Sequence, residues 1–253
     1  MREIKKHGLS FVETESNIEE NEEFNIAKEL IENLFFDMAK LSTKYCNKYC
    51  NDTFCYLPYT YSERRLDSVL LPALSKLCNS MVLVEVPAIR ECANGRFNVE
   101  KSNGRIDYWC IYKNYSFVIE LKHSFDCFTT NSTKEDRVVS RWIEMHKQLQ
   151  SLKKDVKGYT EKTKGVIRIG LHMITSYSKN RDKQLLKEFK KNIPNTFERF
   201  QKDFGKKYPS LKPDFILCWK IPSKIVELHE SSFPGFWAIT KIYPAIKHHG
   251  AIK

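Results

Sequence analysis

Residues 104–125 read GRIDYWCIYKNYSFVIELKHSF. Two runs rich in aromatic and β-branched residues, RIDYWCIYK at 105–113 and SFVIELK at 116–122, flank Lys113 and Asn114, and Asn tolerates the positive φ of a two-residue hairpin loop. Such a loop pairs Tyr112 with Tyr115. Carried down the strands, that register sets Asp107 directly opposite Glu120, with Cβ atoms roughly 4.5–5.5 Å apart. Side chains alternate faces along a strand, so Lys122 shares a face with Glu120. Both acids interrupt apolar runs, WCIY and FVI, where an unpaired carboxylate is costly to bury. Two carboxylates held that close repel one another unless a proton or a cation lies between them. Lys122 brings one positive charge, but a hard divalent ion such as Mg²⁺, with Mn²⁺ as its substitute, answers the pair better. The chemistry this points to is phosphodiester hydrolysis, in which the ion lowers the pKa of a bound water and a neighbouring lysine serves the water or the phosphate.

Working outward, the flanking sequence alternates helices and strands. Phe24, Ala27, Leu30, Ile31, Leu34, Phe35, Met38 and Leu41 recur at helical spacing and predict a long amphipathic helix over 17–49. A turn-rich passage at 51–61 leads to a second helix with Ser62 as N-cap and Leu66, Val69, Leu70, Ala73, Leu74 and Leu77 as its buried stripe. Pro72 inside that stripe predicts a kink or an early break. MVLVEVPAIRE at 81–91 reads as a strand. Beyond the hairpin, Ser132 and Glu135 stand at capping-box spacing before Val138, Trp142, Met145, Leu149 and Leu152, a third helix, and GVIRIGLHMIT at 165–175 is a further strand. A helical pattern over 183–204, interrupted by Pro194, precedes strands at 214–221 and 236–244. This order implies an α/β fold with a mixed central sheet flanked by helices.

Composition narrows the partner. Forty-two Lys and Arg against 31 Asp and Glu give a formal net charge of +11, which favours a polyanion, nucleic acid first. Glu residues crowd 13–32, whereas lysines crowd the chain from Lys147 onward. Lys147, Lys153, Lys154, Lys157, Lys162 and Lys164, around the third helix and its exit loop, are therefore candidate phosphate contacts. No stretch approaches 18 consecutive apolar residues and the start of the chain has no apolar signal core, so the expectation is a cytoplasmic protein without a membrane span. Cys46, Cys50 and Cys55 lack the C-x-x-C pair of a zinc site and read more simply as reduced, packed thiols. Tyr56, Tyr59 and Tyr61 either stack on an unpaired base or cover the core, and the second is preferred. His123 points to the strand face opposite Lys122 and reads as structural, and His248 and His249 lie in a basic tail.

The hairpin, with Asp107 on one strand and Glu120-Leu121-Lys122 on the next, resembles the PD-(D/E)XK nuclease superfamily and its restriction-endonuclease-like fold. By order of elements the resemblance spans 62–175. It implies that Asp107 and Glu120 hold the metal together with the Leu121 carbonyl, and that Lys122 positions the attacking water. Many members add a Glu on the helix before the sheet, a role that falls to Glu63, with Glu85 on the first strand as its competitor. Ile106 stands at the nominal proline, and the Gln148 region lacks the Gln-Tyr pattern of the RecB-like exonuclease branch. The expectation is a restriction-endonuclease-like nuclease domain over 56–253 preceded by a helical extension over 1–55. Its activity would be that of a Mg²⁺-dependent DNA endonuclease in a restriction, mobile-element or phage-defence setting, possible as a homodimer because cutting two strands calls for two sites. The alternatives are a nuclease acting on RNA or branched DNA, and a binding module of the same fold that does not cut.

Overall fold

The computed structural model describes residues 9–13, 21–49, 57–60, 62–94, 98–128, 135–152, 162–179, 185–207, 209–221, 227–228 and 231–247. Its elements are β1 (Leu9–Glu13), α1 (Glu22–Tyr49), α2 (Glu63–Leu77), β2 (Val82–Asn94), β3 (Asn98–Tyr112) and β4 (Tyr115–Cys127). They continue with α3 (Glu135–Ser151), β5 (Val166–Ser178), α4 (Leu185–Lys207), β6 (Phe215–Lys220), β7 (Glu227–Leu228) and β8 (Ser231–Ile246). Lys113 and Asn114 turn at φ 46° and 64°, the left-handed pair of a two-residue hairpin loop. Tyr112 accordingly pairs with Tyr115, and the register runs unbroken to Tyr108 with Ile119. The strands form one mixed sheet in the order β1-β6-β8-β5-β4-β3-β2, with β7 beside β8. β4 and β5 pair in parallel, and α3 supplies the crossover that parallel neighbours require.

Alternation along β4 sorts the interior into two layers. Phe117, Ile119 and Leu121 face α1 and α2, joining Leu30, Leu34, Leu66 and Leu70. Val118 faces the other way, with Trp142, Met145 and Leu149 of α3 and Phe189, Phe200 and Phe204 of α4. The helical stripes are therefore filled as their spacing predicts. α1 opens where the Asn21 side chain accepts the Phe24 amide at 2.8 Å, an N-cap that satisfies one of the helix's free donors. β1, a strand that the periodicity did not reveal, adds to the sheet edge on β6, and α1 shares its core with the sheet. The segment expected as a helical extension thus contributes to the sheet as well.

Neither helix is broken at its proline, which leaves the kink as the surviving half of the expectation at Pro72 and removes the interruption expected at Pro194. α2 runs through Pro72 and α4 through Pro194. In α2, Val69, Leu70, Ala73 and Leu74 are all buried around the proline, and packing on that scale outweighs one lost backbone bond. The capping residue expected for α3, Ser132, lies outside the described residues. Among the described residues, no helix is long and apolar enough to cross a membrane.

Candidate active site

The site begins where β3 and β4 part. Their ladder ends at Tyr108 with Ile119, one pair before the expected meeting of Asp107 and Glu120. On the other side of β3, Glu85 lies between the pairs Val84 with Tyr108 and Val86 with Ile106 and takes a positive φ of 53°. Alternation fails at the same level: Tyr108 packs toward α1 and α2, whereas Ile106 packs toward α3 and α4. The strand is twisted at Asp107, and a wedge opens between β3 and β4.

Acidic side chains fill that wedge. Asp107 Oδ2 accepts the Leu121 amide at 2.7 Å. Glu63, the first residue of α2 after an extended Ser62 (φ −134°, ψ 163°), accepts the His123 amide at 2.9 Å through Oε2. Two acids from separate elements thus take over the edge donors of β4 that the ladder no longer pairs. Lys122 is buried, and its Nζ donates to the Leu121 carbonyl at 3.1 Å and lies 3.6 Å from Glu120 Oε1. Glu120 is 1% exposed. A second cation, the Arg90 guanidinium from β2, reaches it at 3.2 Å and 3.4 Å and also donates to the Arg105 carbonyl. Gly104 makes this approach possible, because a Cβ there would collide with the Arg90 side chain.

The electrostatics follow from burial. Glu120 is raised to about 7, first by desolvation and then by the Asp107 charge, against the opposing pull of Arg90 and Lys122. Burial also raises Asp107, opposed by the Leu121 amide and Lys122. It raises Glu63 too, with Lys122 opposing and Asp107 reinforcing. All three carboxylates therefore sit where ionisation is unfavourable without more positive charge. The donors are oxygens only, three carboxylates and the Leu121 carbonyl, which suits a hard cation such as Mg²⁺ or Mn²⁺. Among the described residues, no three such side chains already converge as a metal cage.

The expected catalytic residues Asp107, Glu120, Lys122 and Glu63 are thus brought together. Glu85, Glu63's competitor, lines the same small cleft of about 70 Å³ with Glu63, Arg64, Asp67 and Asp107 and pairs with Arg105 at 3.2 Å. The His123 ring bonds Thr175 Oγ1 at 2.9 Å, and burial lowers its pKa to about 4. Tyr59 covers the core, edge-on to Trp219. Cys46 and Cys78 are free thiols. Cys50, Cys55, Tyr56, Tyr61, His248 and His249 lie outside the described residues.

The lysines fare differently. Lys164 binds the hairpin turn, its amide donating to the Asn114 carbonyl at 2.8 Å, while its Nζ pairs with Glu22 at 2.9 Å. Asn114 lies roughly 20 Å along β4 from Glu120 at about 3.3 Å per residue. Lys162 precedes it in the same loop, so neither lysine is gathered at the acids. α3 runs back along the sheet, which puts exposed Lys147 roughly 9 Å further along its axis than Arg141. Lys153, Lys154 and Lys157 lie outside the described residues. The cations tied to the acids, besides Lys122, are instead Arg90 on Glu120, Arg141 near Glu63, Arg64 in the small cleft and Arg105 on Glu85, none of which composition singled out. Arg141 acts electrostatically on Glu63, and the α3 residues Arg137 and Arg141 edge a larger cleft of about 890 Å³ that begins at His123 and Ser124. A helical reading of α3 with its N-terminus at the end of β4 was the signal that could have found them.

No family model matches the chain, and no curated protein matches it. Among solved structures, one described as "Crystal structure of SSO0001" aligns with 61% of this chain and 71% of its own, at 20% identity and a TM-score of 0.22. A likeness of that size carries no argument about fold or function.

Proposed function

We propose that this chain is a metal-dependent nuclease that hydrolyses phosphodiester bonds of DNA, with Asp107, Glu120 and Lys122 as its catalytic residues. One observation carries the reading: three buried or half-buried carboxylates, all with raised pKa, meet a buried lysine at the point where two strands separate. A structural role alone gives no reason to gather like charges in a buried site. Asp107, Glu120, Glu63 and the Leu121 carbonyl would hold a Mg²⁺ or Mn²⁺ ion. Bound there, the ion would supply an acidified water and neutralise charge on the phosphate.

The chain's own groups do the rest. Lys122 Nζ has two of its directions committed, to the Leu121 carbonyl and toward Glu120, and its remaining N–H serves an attacking water or a non-bridging phosphate oxygen. The Leu121 and His123 amides fix the carboxylates of Asp107 and Glu63. Arg90 steadies Glu120. The net charge of +11 supplies the attraction to a polyanion.

Arg90 also favours a second reading. Its guanidinium already neutralises Glu120, as a permanent substitute for a metal would, and a module that grips nucleic acid without cutting it would keep such a pair. Incubation of the full chain with supercoiled plasmid, linear duplex, single-stranded DNA and RNA, each with Mg²⁺, Mn²⁺ or EDTA, separates the two. Metal-dependent products that disappear with Asp107→Asn are the expected result. Binding without products under every metal condition would leave the non-cutting module standing.

A further inference from the structure

We infer that the 890 Å³ cleft beside the acids receives an unpaired nucleotide, which makes single-stranded or locally opened nucleic acid the substrate. The inference deepens the nuclease reading and rests on it. The cleft starts where the acidic wedge stops: His123, whose amide binds Glu63, is the first residue of its wall and follows Lys122 directly. Its volume lies within the roughly 300–1,000 Å³ typical of pockets for small ligands.

One wall is aromatic. The rings of His123 and Phe125 stand 4.7 Å apart, those of Phe125 and Tyr177 6.4 Å, and those of Tyr177 and Phe233 6.4 Å. Phe125 and Tyr177 are only half-buried, so part of each ring borders the cleft. Across from them the first turns of α3 bring exposed Arg137 and Arg141, the latter tempered by Glu144 at 3.1 Å. An aromatic wall with a cationic edge matches a nucleotide, whose base stacks and whose phosphate pairs with guanidinium. In a duplex the base faces are already stacked on their neighbours and cannot meet the wall without flipping. Phe125 lies three residues beyond Lys122 on the same strand, roughly 10 Å away at about 3.3 Å per residue, so a nucleotide in the cleft lies close along the chain to the acids although the two side chains leave opposite faces. Stacking of this kind is tolerant of sequence.

The test is fluorescence polarisation of the full chain in EDTA, with labelled single-stranded DNA, RNA of the same sequence, and the blunt DNA duplex. Single strands are expected to bind at least about tenfold more tightly than the duplex. Phe125→Leu, which keeps an apolar side chain but loses the ring, and Tyr177→Ala should each weaken single-strand binding about 5- to 150-fold, with duplex binding unchanged. Tyr177→Phe, which keeps the ring, should retain wild-type binding. The better bound of DNA and RNA then names the sugar, and either preference over duplex supports the cleft. Equal or tighter duplex binding, or unchanged single-strand binding in folded Phe125→Leu and Tyr177→Ala, overturns it. Single-strand preference without any metal-dependent cleavage would sink the nuclease reading alone, whereas cleavage of duplex without that preference would sink only this inference.

Discussion

Replacing Glu120 by Gln should make the metal-free protein more stable above neutral pH while changing little in acid. Glu120 is essentially unexposed, and its pKa is raised from 4.5 to about 7. The folded state therefore holds a proton over a window in which the unfolded chain has released it. Stability contributed by the protonated carboxyl is full below pH 4.5 and is lost as pH rises toward 7, because the folded state binds more protons there. The whole loss is about 3 kcal/mol at 1.36 kcal/mol per pH unit of displacement. Gln imitates the protonated form and cannot ionise, yet its carbonyl still accepts from Arg90. For a chain of this size each kcal/mol moves the melting temperature by about 2–4 °C, so the variant should gain roughly 6–12 °C at pH 8 and almost nothing at pH 4.5. Thermal melts in EDTA from pH 4.5 to 8.5 measure the difference directly. Glu63, raised in the same direction, adds a slope common to both proteins, whereas Asp107, whose charge helps to raise Glu120, is relieved by the substitution and adds to the gain above neutral pH. A pH-independent difference between variant and wild type would refute the argument, because it would mean that Glu120 ionises as freely in the fold as outside it.

Lys122→Ala should reduce cleavage at least about 100-fold yet leave a calorimetric Mn²⁺ titration nearly unchanged, since Nζ addresses the Leu121 carbonyl and Glu120 rather than holding an ion. Gly104→Ala should cost about 1–3 kcal/mol in urea unfolding and impair cleavage, because the new Cβ would push Arg90 away from Glu120. Gly235→Ala should be more damaging, since its Cβ would meet the Trp219 backbone across β6 and β8. For that variant we expect loss of soluble folded protein or of the cooperative melt.

The hairpin was legible because its constraints are local. Asn114 permits the turn, the turn fixes the register as far as Tyr108 with Ile119, and alternation puts Lys122 beside Glu120, whereas Asp107 leaves the ladder and binds the Leu121 amide instead of facing Glu120. The helical stripes were legible for the same reason, each being a period in one short stretch. What escaped depends on other parts of the chain. The wedge at Asp107 lies level with the reversed φ of Glu85 on a third strand, and no pattern around Val84 announces it. Arg90 reads as an ordinary strand arginine until Gly104 clears its path. The lysine-rich passage was visible by count, but the direction of α3 decides which of its cations lies near the acids, and it selects Arg141. Pro72 and Pro194 signalled breaks that packing of the surrounding apolar residues overrode. β1 is only Leu9–Glu13, too short to show a period, and its partner lies far along the chain.

That partnership sets a clock on the molecule's assembly. Leu9 pairs with Trp219, so the edge strand has nothing to dock on until about 200 further residues have been made, roughly 10–40 s at a ribosomal rate of about 5–20 residues per second. Contacts so distant in sequence form late and slow the search for the native state. Through that interval β1 has no strand to pair with, whereas β6 meets a finished β1 as soon as it emerges. A newborn chain is therefore most open to pairing with a neighbouring copy along β1, and crowded synthesis or a slowed ribosome should show itself first as aggregation through that strand.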